Sequence, residues 1–224
     1  MQVDKLITLG CSITHHFGWA NCLSRGLNLP LINLSESSGS NQLQQWRFQE
    51  LVFKENITEK DIIIWQITGI ERTFFREKLF SLTEKQKEEY LTNPTPKAVL
   101  YSKNIFDDCY RSDYLSHTSP KDNNWYKTTE QHLENLLFYI ISSKKMSSNT
   151  FVVYGWENCI PSNYKTIFEK QLSKHNINIF KHPIVEWCHK NKLDFHPDNL
   201  HPLMTAYEKY VNDYMLPTIQ EYIK

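Results

Sequence analysis

The segment "DIIIWQI", residues 61–67, constrains the fold more than any other stretch. It is a nearly continuous apolar, largely β-branched run. A strand with one face in water alternates apolar and polar side chains; a strand covered on both faces does not have to. The run therefore predicts a central strand of a parallel sheet with helices packed on both sides. Shorter runs repeat the theme: Leu6–Leu9, stopped by Gly10; Leu31–Leu34, introduced by Pro30; "TFVVYGW" at 150–156; and "INIF" at 177–180. Between them the apolar spacing turns helical. Phe17, Trp19, Ala20 and Leu23 mark a helix over 14–26, and Leu43, Trp46, Phe48 and Leu51 mark one from about Asn41 to Lys54. Leu133, Leu136, Leu137, Ile140 and Ile141 mark a helix over 127–144, residues 162–174 form another, and a last helix follows Pro202. Alternation of strand and helix predicts an α/β domain of three layers, with one sheet between two layers of helices.

A chain of 224 residues suits one such domain, 1–224, with room for an insertion. Residues 72–125 fit that role. They carry charges, aromatics, Pro94 and Pro96 with little clean period, and predict an inserted, lid-like segment after the third strand, with a short helix such as Glu84–Leu91. Lys+Arg and Asp+Glu both number 25, so bulk charge predicts neither a nucleic-acid nor a membrane-surface partner. No stretch has the ~18 apolar residues of a membrane span, and MQVDKLITLG lacks the features of a secretory signal. The five cysteines, odd in number and without a CxxC pair, predict reduced thiols and a cytoplasmic setting. Oligomeric state is not legible in the sequence.

In parallel α/β sheets chemistry gathers at the carboxyl ends of the strands. Ser12 follows the first strand in "GCSITHH". Gly39 and Asn41 lie in the loop after the second, Thr68 after the third, and "DFHPDNLHP" near the end places Asp198 and His201 three residues apart. A serine hydroxyl needs a histidine to take its proton and a carboxylate to fix the imidazole tautomer. The developing oxyanion needs preorganised donors, for which the N–H groups of Ser12 and Gly39 are candidates. Other readings of the same residues stand beside this one. Ser12 and Asn41 can cap the helices that follow them. Cys11 can pack in the core, and Gly39 can be a turn glycine. Thr68 can pack at the strand end, and Asp194 competes as the carboxylate. Asp-x-His-x-Asp-x-x-His can imitate a metal site. His15, His16, Arg72, Trp125 and Tyr126 are candidate substrate contacts.

Gly10-Cys11-Ser12-Ile13 resembles the Gly-Asp-Ser-Leu block of the SGNH (GDSL-like) hydrolases. Asn33-Leu34-…-Ser38-Gly39 resembles their second block, and Asp198-Asn199-Leu200-His201-Pro202 their last. The resemblance implies a flavodoxin-like α/β/α fold and an esterase or acyl-group hydrolase with Ser12, His201 and Asp198 as its triad. It implies a small-molecule or glycan acyl ester as substrate, with no metal or other cofactor. A carbohydrate O-acetyl ester, an O-acyltransferase with the same triad, and a non-catalytic module on the same fold are the variants it leaves open. The chain departs from the pattern twice. Cys11 stands where the family has Asp, and "WQITGIER" at 65–72 lacks the asparagine of the third block, leaving Thr68 or Asn41 to supply that donor.

Overall fold

The computed structural model describes residues 3–15, 18–36, 39–54, 56–69, 72–78, 99–101, 108–114 and 129–223. Five strands form one parallel sheet: β1 (Leu6–Leu9), β2 (Leu31–Asn33), β3 (Ile62–Ile67), β7 (Asn149–Tyr154) and β8 (Asn178–Ile179), in the order β2-β1-β3-β7-β8. This is the flavodoxin-like order, and β3 is its centre, as the 61–67 run predicts. Leu6 pairs with Ile62 and Ile64 with Phe151, so the strands lie in register across the sheet.

Because side chains alternate along a strand, each strand feeds two cores. Leu6, Ile62, Ile64, Phe151 and Val153 point to one side. There they meet Trp19 and Leu23 of α1 (Trp19–Leu27), Val185 and Cys188 of α5 (Ile184–Lys190), and the C-terminal helix. That helix runs as α6 (Met204–Tyr210), a π-helical stretch (Val211–Met215) and α7 (Leu216–Tyr222). Ile7, Leu9, Ile63, Trp65, Ile67 and Val152 point to the other side. Their partners come from α2 (Asn41–Lys54), α3 (Thr129–Met146) and α4 (Ser162–Lys174). All six side chains of β3 are buried.

The structure corrects one boundary and adds a helix and a second sheet. The first helix starts at Trp19, not near residue 14, because residues 11–15 form a tight turn in which the Cys11 carbonyl accepts both the Thr14 and His15 N–H groups. Ser12 therefore does not cap that helix; Gly18 holds the cap position. Helix α5 carries no signal in the sequence: seven residues give two turns, too few for a period to stand out. Within the 72–125 segment the described backbone adds an antiparallel sheet, β4 (Arg72–Lys78), β6 (Asp108–Tyr114) and β5 (Val99–Tyr101), in the order β4-β6-β5. The expected helix Glu84–Leu91 lies outside the described residues, as do His16, Trp125 and Tyr126.

Candidate active site

The first strand ends at Gly10 because the chain there passes too close to its neighbours for a side chain. A Cβ on Gly10 would lie 2.3 Å from Thr14 Oγ1 and 2.6 Å from Gln66 Oε1. The turn that follows is buried: Cys11 and Thr14 are fully shielded. Two neighbouring strands hold it. From β3, Gln66 Oε1 accepts the Cys11 N–H at 2.9 Å, the Thr14 hydroxyl at 3.1 Å and the Cys11 thiol at 3.3 Å. From β2, Asn33 Nδ2 donates to the Thr14 carbonyl at 3.1 Å, while its Oδ1 accepts the Thr8 hydroxyl and the Ser35 N–H, each at 3.1 Å. Cys11 thus belongs to the core, packed among the α1-side residues.

The second half of the site is a short hairpin. Phe195 and Pro202 form an isolated antiparallel bridge, and the His196 N–H donates to the His201 carbonyl at 2.8 Å. Asn199 takes the left-handed conformation (φ 54°) that closes the turn, a conformation asparagine tolerates better than most residues. Asp198 sits just before it, and its Oδ1 accepts the N–H groups of Leu200 at 2.9 Å and His201 at 3.1 Å. These donors, first the Leu200 N–H and then the His201 side chain, hold the Asp198 carboxyl down at about 2.

The hairpin reaches across to the turn. His201 Nδ1 lies 2.6 Å from Asp198 Oδ2, and His201 Nε2 lies 2.7 Å from Ser12 Oγ. An ionised carboxylate only accepts, so Nδ1 carries the ring proton and Nε2 presents its lone pair to the Ser12 hydroxyl. The structure therefore brings together all three of Ser12, His201 and Asp198. Asp194, the competing carboxylate, uses its backbone carbonyl to accept the Leu203 N–H and makes no such contact with His201. Among the described residues no cluster of His, Cys, Asp and Glu is arranged to hold a metal ion.

The other predicted residues fall differently. Ser40, not Asn41, caps α2, its Oγ accepting the Leu43 N–H at 3.1 Å. Asn41 is buried and turned onto Thr68: its Nδ2 donates to the Thr68 carbonyl at 3.0 Å and its Oδ1 accepts the Thr68 N–H at 2.9 Å. The Thr68 hydroxyl also donates to Asn41 Oδ1. The two residues tie the start of α2 to the end of β3 and line no part of the cleft over Ser12 and His201. Gly39 packs against the nucleophile turn so closely that a Cβ would lie 2.9 Å from the Gly10 carbonyl oxygen. Its N–H is engaged with the Glu36 carbonyl at 2.9 Å. The Ser12 N–H has no acceptor among the described residues.

An open cleft of about 820 Å³ lies over Ser12 and His201. His15, His196 and Tyr207 add polar groups to it, and Pro197, Pro202, Leu203 and Met204 add apolar ones. His15 is oriented by a 3.0 Å contact between its Nδ1 and the Ser35 carbonyl. Tyr207 is buried, and burial pushes its phenol well up, keeping it a neutral donor. The sequence reading missed Tyr207 and Gln66. Tyr207 carried no signal, being one aromatic on an apolar helix face. Gln66 carried one: a glutamine inside a strand read as wholly buried must find partners there.

No protein-family model and no curated protein matches the chain. Solved structures do match in shape. An α/β hydrolase enzyme, LAE5, from the metagenome of Lake Arreo aligns over 98% of this chain and 97% of its own, with 12% identity and a TM-score of 0.57. The psychrotrophic esterase EstA from a Pseudoalteromonas species aligns over 98% of each chain, with 14% identity and a TM-score of 0.54. A member of the lipolytic protein G-D-S-L family from Veillonella parvula aligns over 95% of this chain and 99% of its own, with 11% identity and a TM-score of 0.52. Over nearly its whole length, the chain has the three-layer α/β/α fold of the SGNH (GDSL-like) hydrolases.

Proposed function

We propose that the protein is a serine hydrolase of acyl esters. The observation that carries this reading is the continuous hydrogen-bonded chain from Asp198 through His201 to Ser12. Ser12 Oγ attacks the ester carbonyl while His201 Nε2 takes its proton. As the tetrahedral intermediate collapses, the carbon–oxygen bond to the leaving alcohol breaks and His201 returns the proton to that alcohol. Water then repeats the sequence on the acyl-Ser12 intermediate. Asp198 keeps the tautomer and stabilises the imidazolium; with its carboxyl near 2 it stays ionised throughout.

The oxyanion is received by the Ser12 N–H. Gly39 supplies a second donor by exchanging its Glu36 carbonyl partner for the substrate oxygen, a swap of one hydrogen bond for another. The Asn41–Thr68 pair fixes the start of α2, two residues beyond Gly39. The polar side chains of His15, His196 and Tyr207 beside the apolar wall of the cleft suit a small acyl group on a polar alcohol, such as an O-acetylated sugar. Single-domain organisation and a cytoplasmic site of action complete the reading.

One observation favours a second reading. Gly39, Asn41 and Thr68 all spend their donors on other protein groups, as they would in a binding module without catalysis. A fluorophosphonate probe separates the two. Labelling of the wild type and not of Ser12→Ala, with hydrolysis of short p-nitrophenyl esters, supports the hydrolase; an unlabelled, inactive wild type overturns it. Product analysis with a sugar acceptor present distinguishes hydrolysis from acyl transfer.

A further inference from the structure

Gln66 is fully buried in the centre of the sheet, on the β3 face that otherwise carries Ile62 and Ile64. Packing alone is satisfied by another apolar side chain. What an apolar side chain lacks is an acceptor, and Gln66 Oε1 serves three donors of the nucleophile turn. Its Nε2 donates to the Ile67 carbonyl at 2.8 Å, which fixes the amide's orientation. The flanking strands make room for the amide. A Cβ on Gly10, after β1, would lie 2.6 Å from its Oε1, and one on Gly155, after β7, would lie 2.4 Å from its Nε2.

The two principal anchors, the Cys11 N–H and the Thr14 hydroxyl, bracket Ser12 in the chain. The Cys11 carbonyl is turned inward to accept the Thr14 and His15 N–H groups. In a trans peptide the N–H points opposite to the carbonyl, so the Ser12 N–H is directed away from the turn. Holding Cys11 therefore sets two things together: where Ser12 Oγ meets His201, and where the Ser12 N–H points.

We propose that Gln66 is a positioning residue for the nucleophile, acting through the Cys11 N–H and the Thr14 hydroxyl to align both Ser12 Oγ and the Ser12 N–H. The inference rests on the hydrolase reading above. It touches no substrate, so its signature is a loss in kcat with KM little changed.

Gln66→Met keeps the volume and removes the acceptor. It is expected to lower kcat and the rate of fluorophosphonate labelling about 10–100-fold, with KM within about twofold, in line with what a small misplacement of a reacting group costs. Gln66→Glu is the conservative rescue. As a neutral acid its carbonyl accepts the Cys11 N–H and its hydroxyl donates to the Ile67 carbonyl, the pattern of the amide. The Cys11 thiol is in hydrogen-bond contact with it, and the Cys159 thiol, kept protonated by burial, shares its Ile67 carbonyl acceptor. The Glu variant is therefore expected to exceed the Met variant in kcat at the acid end of the profile. The ratio should fall as pH rises and the carboxyl ionises against the Ile67 carbonyl. Melting curves accompany both. A Gln66→Met protein that melts lower yet keeps wild-type kcat and labelling overturns the inference. So does a Glu variant no better than Met at any pH, a comparison that stands even if one variant is poorly folded at higher temperature. A wild type that neither labels nor hydrolyses overturns the hydrolase reading instead, and takes the inference with it.

Discussion

The two halves of the candidate site are built in opposite ways. The Ser12 turn is buried and held by partners far away in the chain: Gln66 in β3, and Asn33 and Ser35 at and just beyond the end of β2. The 195–202 hairpin is largely exposed and holds itself. Its hydrogen bonds run from His196 to His201, from Asn199 to His196, and from the Leu200 and His201 N–H groups to Asp198. One long-range bond, Ser12 to His201, joins the halves across 189 residues of chain. Accuracy has a different source in each half. A nucleophile and its oxyanion donor must sit within a fraction of an ångström of their positions, and a close-packed interior supplies that rigidity. A base and its orienting carboxylate need mainly each other, and a turn of a few residues can supply that while open to water.

Four sets of substitutions test the two halves, in falling order of effect. Ser12→Ala and His201→Ala sever the join itself. Each is expected to lower kcat by about 10⁴–10⁶-fold, with no gain from combining them, because the residues act as a unit. Steady-state kinetics on a short ester checks this.

Asp198→Asn leaves the hairpin its turn but reverses the hydrogen-bond logic at Nδ1. A loss of about 10³–10⁴-fold in kcat is expected. The same variant tests electrostatics. The Asp198 carboxyl sits near 2 in the folded chain, below the ~3.9 of an unfolded one, so its contribution to stability is present above pH ~4 and lost as pH falls toward 2. Because the group is about half exposed, water screens that contribution and it is small. Denaturant melts from pH 5 to 2 are expected to show a slightly shallower acid loss in Asp198→Asn than in the wild type.

Gly10→Ala attacks the tertiary half. The new Cβ must push Thr14 Oγ1 or Gln66 Oε1 away, and a cost of about 1–3 kcal/mol is expected from overpacking. Activity should fall more than tenfold, since the displaced atoms hold the turn. Asn199→Ala attacks the local half. Placing alanine at φ 54° costs about 1 kcal/mol, and with the strain confined to an exposed turn, kcat should fall less than in Gly10→Ala. If Asn199→Ala proves the more damaging of the two to kcat, the contrast between a rigid nucleophile turn and a self-contained base hairpin is wrong.

Much of this molecule is legible in its sequence, for reasons that differ by element. The 61–67 run identifies β3 as central because only a strand covered on both faces carries so nearly unbroken an apolar run. Helices α2, α3 and α4 are long enough for their period to show, whereas α5 is not. The hairpin around Asp198 and His201 is legible because its partners lie three residues apart. The oxyanion side is not. Asn41 reads equally well as a cap, a donor or a clamp, and only the contact with Thr68 across 27 residues makes it a clamp. The 72–125 segment carries no period, and its antiparallel strands are set by pairing between distant stretches.

The layers, the strand at their centre and the local pair Asp198–His201 follow from the sequence, because burial on both faces, helical period and short spacing are properties of neighbouring residues. What the nucleophile turn rests on emerges only on folding. Gln66 looks like one polar interruption in an apolar strand until folding lays Gly10 and Gly155 on either side of it and brings Cys11 and Thr14 within hydrogen-bond reach. A buried amide must be satisfied, but which groups satisfy it depends on the packing of strands that are distant in the chain.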